Sequence, residues 1–305
     1  MRRHFVHFLW GSLLAILGLV FVFFISVWNG WVGYMPNMDE LSNPIDKFAS
    51  QVYSSDQQLI GTWNADNNNR VAIDYNGLSP HLVHALVATE DERFYEHSGV
   101  DFIALGRAVV KRGVMGQASA GGGSTITQQL AKQLFSEKAH STVERLLQKP
   151  IEWIIAVKLE RHFTKEEILA MYFNYFDFLH NAVGIKRAAN VYFNKEPRKL
   201  TVTESAMLVG LCKNPSMFNP LRHPERCLQR RNVVLMQMVK SGYVTKDEYK
   251  ELSQCPLGLH FTRSKPVSGA GDYFQAFLRQ YMMAKKPERE NYQSWQNRQF
   301  VLDSI

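Results

Sequence analysis

Ala88-Thr89-Glu90-Asp91-Glu92-Arg93-Phe94-Tyr95-Glu96-His97-Ser98-Gly99 is the stretch on which the reading of this chain turns. Ser79 suits an N-cap and Pro80 the first helical position, so a helix opens there and runs into the quoted segment. Val83, Val87, Glu90 and Phe94 follow at spacings of four, three and four, which is one face of a helix. A carboxylate in an otherwise apolar stripe points where core side chains point. Its charged form is disfavoured there, so it accepts a proton more readily. An acid-rich surface helix, with Glu90 merely paired to a base, accounts for the same residues about as well. The segments on either side decide between the two.

Upstream, Arg2, Arg3 and His4 precede a run from Phe5 to Trp28 that contains no Lys, Arg, Asp or Glu. As a helix it is long enough for the ~30 Å hydrocarbon core of a bilayer. Trp10, Trp28, Trp31 and Tyr34 suit interfacial anchors. The run is too long for a cleaved signal peptide and no small-x-small site follows, so an uncleaved anchor is expected. Basic residues precede it and Asp39 and Glu40 follow, which puts the short N-terminus in the cytoplasm and the rest outside. Residues 1–28 are thus expected to be cytoplasmic tail and anchor. Residues 29–74 are expected to be a juxtamembrane linker with a short hairpin within Gln51 to Ala72, ahead of the polar patch Asn64 to Asn69.

The chain has 305 residues, 46% of them hydrophobic, enough for one substantial core or two modest ones. A net charge of +7 suits anionic partners. No RNA-binding signature, paired-Cys zinc spacing or basic repeat occurs, so membrane or phosphate partners are expected and nucleic acid is not. Three cysteines, Cys212, Cys227 and Cys255, make no disulfide scaffold. Cys212 reads as a small buried hydrophobe, and a bond between Cys227 and Cys255 is open.

Downstream of Gly99, apolar Phe102, Ile103, Leu105, Val109 and Val110 alternate with basic Arg107, Lys111 and Arg112. Either a membrane-interface helix or ordinary core packing with a basic edge fits. Gly113 to Gly123 reads as a mobile loop. It feeds a helix whose start is marked by Thr125 and Gln128, a capping-box pair. Ile126, Leu130 and Leu134 form that helix's buried stripe, leaving Ser124, Gln128, Gln129 and Lys132 on other faces. A Gly-rich loop opening a helix can present backbone N–H groups to an anion, though many ordinary loops do the same. Ser141 opens a longer pattern in which Lys149, Glu152, Ala156 and Glu160 share a side, and Pro150 is expected to kink or restart it. Thr164 to Glu167 caps a further helix reaching Asn174. Arg230 and Arg231 read best as a solvated face.

In this order the residues closely resemble the peptidoglycan glycosyltransferase domain, glycosyltransferase family 51, of class A penicillin-binding proteins. Glu90, Asp91, Phe94, His97 and Gly99 match Glu-Asp-x-x-Phe-x-x-His-x-Gly. Gly122 to Gln129 matches Gly-x-Ser-Thr-Ile-Thr-Gln-Gln, Lys165 to Asn174 matches Lys-x-x-Ile-Leu-x-x-Tyr-x-Asn, and Arg230 to Leu235 matches Arg-Arg-x-x-Val-Leu. The Arg-Lys-x-x-Glu motif departs: Gln148 stands before Lys149 and Glu152, with Arg145 one turn earlier as a substitute. The resemblance covers residues 75 to 250. It implies a mainly α, lysozyme-like helical domain carrying an N-terminal transmembrane helix and a small β-hairpin. Neither Ser-x-x-Lys nor Lys-Thr-Gly occurs, so no transpeptidase signature is present. Residues 251–305 are expected to begin a linker toward such a domain, absent from this chain.

The resemblance implies polymerisation of lipid II. The growing glycan on undecaprenyl pyrophosphate is donor, lipid II is acceptor, and the configuration inverts. Glu90 is then the general base and Glu152 the electrostatic partner at the leaving group. Lys132 and Lys149 stabilise the diphosphate, and Ser124, Thr125, Gln128 and Gln129 hold sugar and phosphate oxygens. Asp91, Phe94, His97 and Asn174 complete the implied binding set. No cofactor is implied as required; a divalent cation, Mg2+ or Mn2+, is the one group the pyrophosphate could bring. The implied setting is the cytoplasmic membrane, crossed once, with the domain on the outer side and other cell-wall synthesis proteins as partners. Two rival readings are a lytic enzyme cleaving the same polymer, which also needs a buried acid, and an inactive membrane scaffold.

Overall fold

The computed structural model describes residues 2–31, 35–36, 41, 50–53, 59–63, 71–110, 123–135, 142–262 and 277. The polar patch at 64–69, most of the Gly-rich loop, Ser141 and nearly all of residues 263–305 lie outside them, as does the Arg145 side chain. The chain forms two compact units. One comprises residues 1–42 and 93–168, the other residues 43–92 and 169–305.

The first unit opens with α1 (Arg2–Trp28). Its Val6–Trp28 segment has a mean hydropathy of 2.6 and lies almost wholly outside the protein core, with Val27 its one buried residue. Among the described residues this is the one helix long and apolar enough to cross a membrane. Ser12 and Ser26 donate to the carbonyls of Phe8 and Val22 four residues back, so neither hydroxyl is stranded in an apolar surround. Three more helices follow: α3 (Phe102–Val109), α4 (Ile126–Phe135) and α5 (Thr142–His162). Asp101 caps α3 by accepting from the N–H groups of Ile103 and Ala104 at 2.9 Å. Phe102 and Ile103 nonetheless stand 73% and 63% exposed, which favours the interfacial reading of that helix over core packing. Pro150 does not restart the helix; α5 is one 21-residue element, with Ile154, Ile155, Ala156 and Leu159 buried. Packing of that apolar face outweighs the single backbone bond a proline removes.

The second unit holds the hairpin. Strands β1 (Ser50–Tyr53) and β2 (Leu59–Trp63) pair antiparallel, Ser50 opposite Trp63, with an irregularity between Val52 and Tyr53. The core of this unit is helical: α2 (Pro80–Glu90), α8 (Val202–Lys213) and α9 (Pro224–Lys240) pack on one another. Every residue of α8 from Glu204 to Cys212 is buried, as expected of a central helix that is apolar nearly all round. α7 (Ile185–Phe193) and α10 (Lys246–Gln254) flank this core sequence. Helix α6 (Lys165–Tyr175) begins in the first unit, and from Leu169 its residues belong to the second.

Two local expectations need correction, and one open point is settled. Ser79 is the N-cap of α2, but its hydroxyl donates to the Leu200 carbonyl rather than capping the helix. Helix α2 ends at Glu90 because Asp91 leaves helical geometry (φ −159°, ψ 75°), so Phe94 sits in a separate 3-10 turn and off the stripe. All three cysteines are free, so no bond joins Cys227 to Cys255. Cys212 is the buried small residue its surroundings suggest.

Candidate active site

Glu90 is the last residue of α2, one turn past buried Leu86 and Val87. Its side chain keeps 17% exposure, and Oε1 lies 3.5 Å from Nη2 of Arg230 on α9. Arg230 is itself buried and donates from Nε to the Gly210 carbonyl at 3.4 Å. Gly210 makes room for it: a Cβ there would meet Cγ of Arg230 at 3.2 Å. The Phe218 ring lies 5.9 Å from the guanidinium carbon. Burial lowers the Arg230 guanidinium, while the Glu90 carboxylate works the other way. Tyr172 is wholly buried nearby, and burial raises its phenol well above the usual range, with the charges of Cys212 and Glu90 adding to the effect. It therefore stands beside the acid as a neutral group. Asp91 is buried just past the helix end, its N–H on the Val87 carbonyl at 3.1 Å.

Both arginines of the Arg-Arg pair contradict the solvated-face reading. Arg231 is fully buried and donates to the carbonyls of Leu252, Ser253, Cys255 and Pro256 at 2.7–3.3 Å. It thus closes the end of α10, where carbonyls lack helical partners. The signal was present in the spacing. Cys227, Arg230, Arg231, Val234, Leu235 and Met238 form one buried stripe, and the two arginines simply occupy core positions in it.

Asn174 is buried on α6 and has both ends of its amide engaged by one residue. It accepts from the Ile73 N–H at 3.2 Å and donates to the Ile73 carbonyl at 2.8 Å. This pins the strand-like segment before α2.

In the first unit, Lys149 and Glu152 pair along α5 at 2.6 Å, the lysine 49% exposed and the glutamate 3%. The acid is thus embedded while the cation reaches solvent. Lys132, in the last turn of α4, is exposed, and Gln129 and Ser124 are half-buried. Thr125 and Gln128 are buried, and their bonds explain why. Thr125 donates to the Gly99 carbonyl at 2.6 Å and accepts from the Gln128 N–H at 3.2 Å. The Gln128 amide donates to the same carbonyl at 3.3 Å and accepts from Ser124 at 3.3 Å. Instead of closing a capping box, Gln128 ties its helix to Gly99.

Gly99 has φ +90°, and a Cβ there would approach the Ala156 backbone to 2.8 Å, so only glycine fits. Phe94 is fully buried with Lys165 Nζ 4.2 Å above its ring. His97 lies edge-on to Phe94, and its carbonyl accepts from Lys165 at 2.7 Å. Lys165 also meets Glu160, whose Oε1 accepts from Thr127 at 2.6 Å. This Thr127–Glu160–Lys165 chain joins α4, α5 and α6. Sequence reasoning noted Glu160 only as a neighbour of Glu152. No group of three or more His, Cys, Asp or Glu side chains converges among the described residues.

Among the described residues the chain thus carries an apolar helix long enough to cross a membrane, a part-open acid beside a guanidinium in one unit, and an exposed lysine paired with an embedded glutamate in the other. Residues 56–239 match the Transglycosylase family model. The chain is 37% identical over 279 residues to penicillin-binding protein 1A of Aquifex aeolicus (strain VF5), covering 90% of this chain and 37% of that protein. It is 36% identical over 248 residues to penicillin-binding protein 1A of Escherichia coli (strain K12), covering 81% of this chain and 28% of that protein. The crystal structure of penicillin-binding protein 1A from Haemophilus influenzae aligns with 81% of this chain and 26% of that one, at 23% identity and a TM-score of 0.40. The chain therefore belongs to the transglycosylase family. It spans roughly a third of the length of these curated relatives.

Proposed function

We propose that this chain polymerises lipid II by inverting transfer. The 4-hydroxyl of the acceptor attacks C1 of the donor sugar as that carbon's bond to undecaprenyl pyrophosphate breaks. The hydroxyl proton passes to Glu90, and the bonding electrons leave with the diphosphate. The observation that carries this reading is the setting of Glu90, partly open at the end of a helix whose residues from Ala85 to Ala88 are buried. Arg230, at 3.5 Å, orients the carboxylate without gripping it.

Lys149 and Lys132 meet the charge that develops on the diphosphate, where preorganised cations lower the barrier most. Glu152, embedded at 2.6 Å from Lys149, holds that lysine's ammonium in place. Mg2+ or Mn2+ fits at this position only together with substrate. Such ions bind through one or two carboxylates plus phosphate oxygens, and Glu152 is the carboxylate paired with Lys149 here. Ser124 and Gln129, half-buried, meet sugar or phosphate oxygens in this reading, while Thr125, Gln128, Phe94 and His97 hold the loop at Gly99 in shape. The anchor crosses the cytoplasmic membrane with Arg2 and Arg3 inside, leaving residues 75–250 as the catalytic domain on the outer side, ahead of a linker from 251.

A lytic enzyme would have no use for Lys149 and Lys132 at a leaving diphosphate. The test is incubation of the purified chain with lipid II in detergent. Glycan polymer forms with the native chain and not with Glu90→Gln. Polymer formed equally by Glu90→Gln would overturn the role of Glu90, and shortening of purified glycan without polymer would support cleavage instead.

A further inference from the structure

The anchor helix does not simply hang from the first unit. Its last two turns are seated on α5. Phe24 stacks on Trp153 with ring centroids 6.4 Å apart and planes 16° off parallel, and Val27 is fully buried. The apolar window of α1 ends at Trp28, so the Trp28 indole marks the depth where hydrocarbon gives way to headgroups. Two cations from successive turns of α5 reach this ring. Lys158 Nζ lies 5.1 Å and the Arg161 guanidinium carbon 5.8 Å from its centroid.

Among the described residues, neither cation has a carboxylate partner. The neighbouring Glu160 is already committed to Lys165 and Thr127. Partial burial lowers the Lys158 ammonium, so an arriving anion would restore what burial has cost it. With Trp28 as the anchor's interfacial residue, the two cations over its ring are expected near the headgroup region, and no carboxylate among the described residues pairs with them. This group is separate from the Lys149–Glu152 pair. Lys158 follows Lys149 by nine residues, about 13 Å along the helix and about half a turn round it.

We propose that Trp28, Lys158 and Arg161 form a binding site for the phosphodiester headgroup of an anionic phospholipid in the leaflet where α1 ends. The lipid phosphate pairs with both cations, and its glycerol backbone lies against the indole. A zwitterionic headgroup is disfavoured because its own ammonium competes for the phosphate. The site holds α5 at a fixed depth in the membrane.

The test is native mass spectrometry of the detergent-purified full chain with equimolar phosphatidylglycerol and phosphatidylcholine of matched acyl chains. The native chain is expected to retain phosphatidylglycerol about tenfold over phosphatidylcholine, and the double variant Lys158→Gln/Arg161→Gln to retain both equally. The charge-conserving pair Lys158→Arg/Arg161→Lys should keep the preference, which separates loss of charge from loss of fold. Inorganic phosphate at millimolar concentration should not displace the lipid. The proposal is overturned if the double Gln variant keeps the tenfold preference, if free phosphate displaces the lipid, or if Arg107→Gln on α3 removes the preference instead.

Discussion

Glu90 and Glu152 are both glutamates on helices, yet their surroundings differ. Glu90 faces a guanidinium at 3.5 Å and keeps 17% exposure, whereas Glu152 is 3% exposed with a lysine at 2.6 Å. A group that must accept and release a proton has to meet substrate, so Glu90→Gln should lower polymerisation about a hundredfold or more. Its melting temperature should stay close to native, measured by circular dichroism. Removing the partner should act differently. Arg230→Met removes the guanidinium that faces the semi-buried Glu90 carboxylate, so it should cost about 2 kcal/mol of stability by denaturant titration as well as activity. The cysteines give a further check. Burial pushes the Cys227 thiol up to about 12 and the Cys212 thiol still higher, while Cys255 is exposed. At pH 8 iodoacetamide should label Cys255 alone in the native chain and all three after denaturation, read by mass spectrometry. Glu90 was legible in the sequence as an acid in an apolar stripe. Its pairing with Arg230 was not, because the two lie 140 positions apart in the chain.

At the scale of elements, boundaries were the least legible feature. Helix α2 was expected to carry its stripe to Phe94 but stops at Glu90, because Asp91 turns the chain out of helical geometry. That early stop leaves the acid at a helix end instead of mid-helix, where neighbouring side chains would have covered it. The Gly99 loop shows the same point from the other side. Its glycine was visible in the motif, but its need for φ +90° against the Ala156 backbone was not. Gly99→Ala should therefore destabilise by about 2–3 kcal/mol, seen as a lower melting temperature, from the strained φ and the clash together. Pro150 misled in the opposite sense. A proline removes one helical bond, yet the buried face of α5 carries the helix through it.

For the whole molecule, α1 carries the clearest expectation. Membranes from cells expressing the chain should retain it through alkaline carbonate washing, and a form lacking residues 1–28 should be released, as judged by immunoblot. Retention of the shortened form would place the attachment in α3, whose Phe102 and Ile103 stand exposed. The Glu-Asp motif is divided in the fold. Glu90 and Asp91 belong to one compact unit and Phe94, His97 and Gly99 to the other. A linear motif cannot reveal such a division, because it records order along the chain and not which residues share a core.

Composition and periodicity alone determined the apolar anchor, the helical character of residues 75–250 and the acid on the apolar stripe of α2. Each of these depends on neighbours within about two helical turns, the range over which a side-chain pattern is set by the backbone itself. Tertiary structure alone decided which polar motif residues became scaffold and which stayed open to solvent. Thr125, Gln128, Asn174 and Arg231 spend their hydrogen bonds on backbone atoms elsewhere in the fold, while Lys132 and Lys149 reach water. A buried polar group must find a partner wherever the packing places one, and that position is a property of the folded chain.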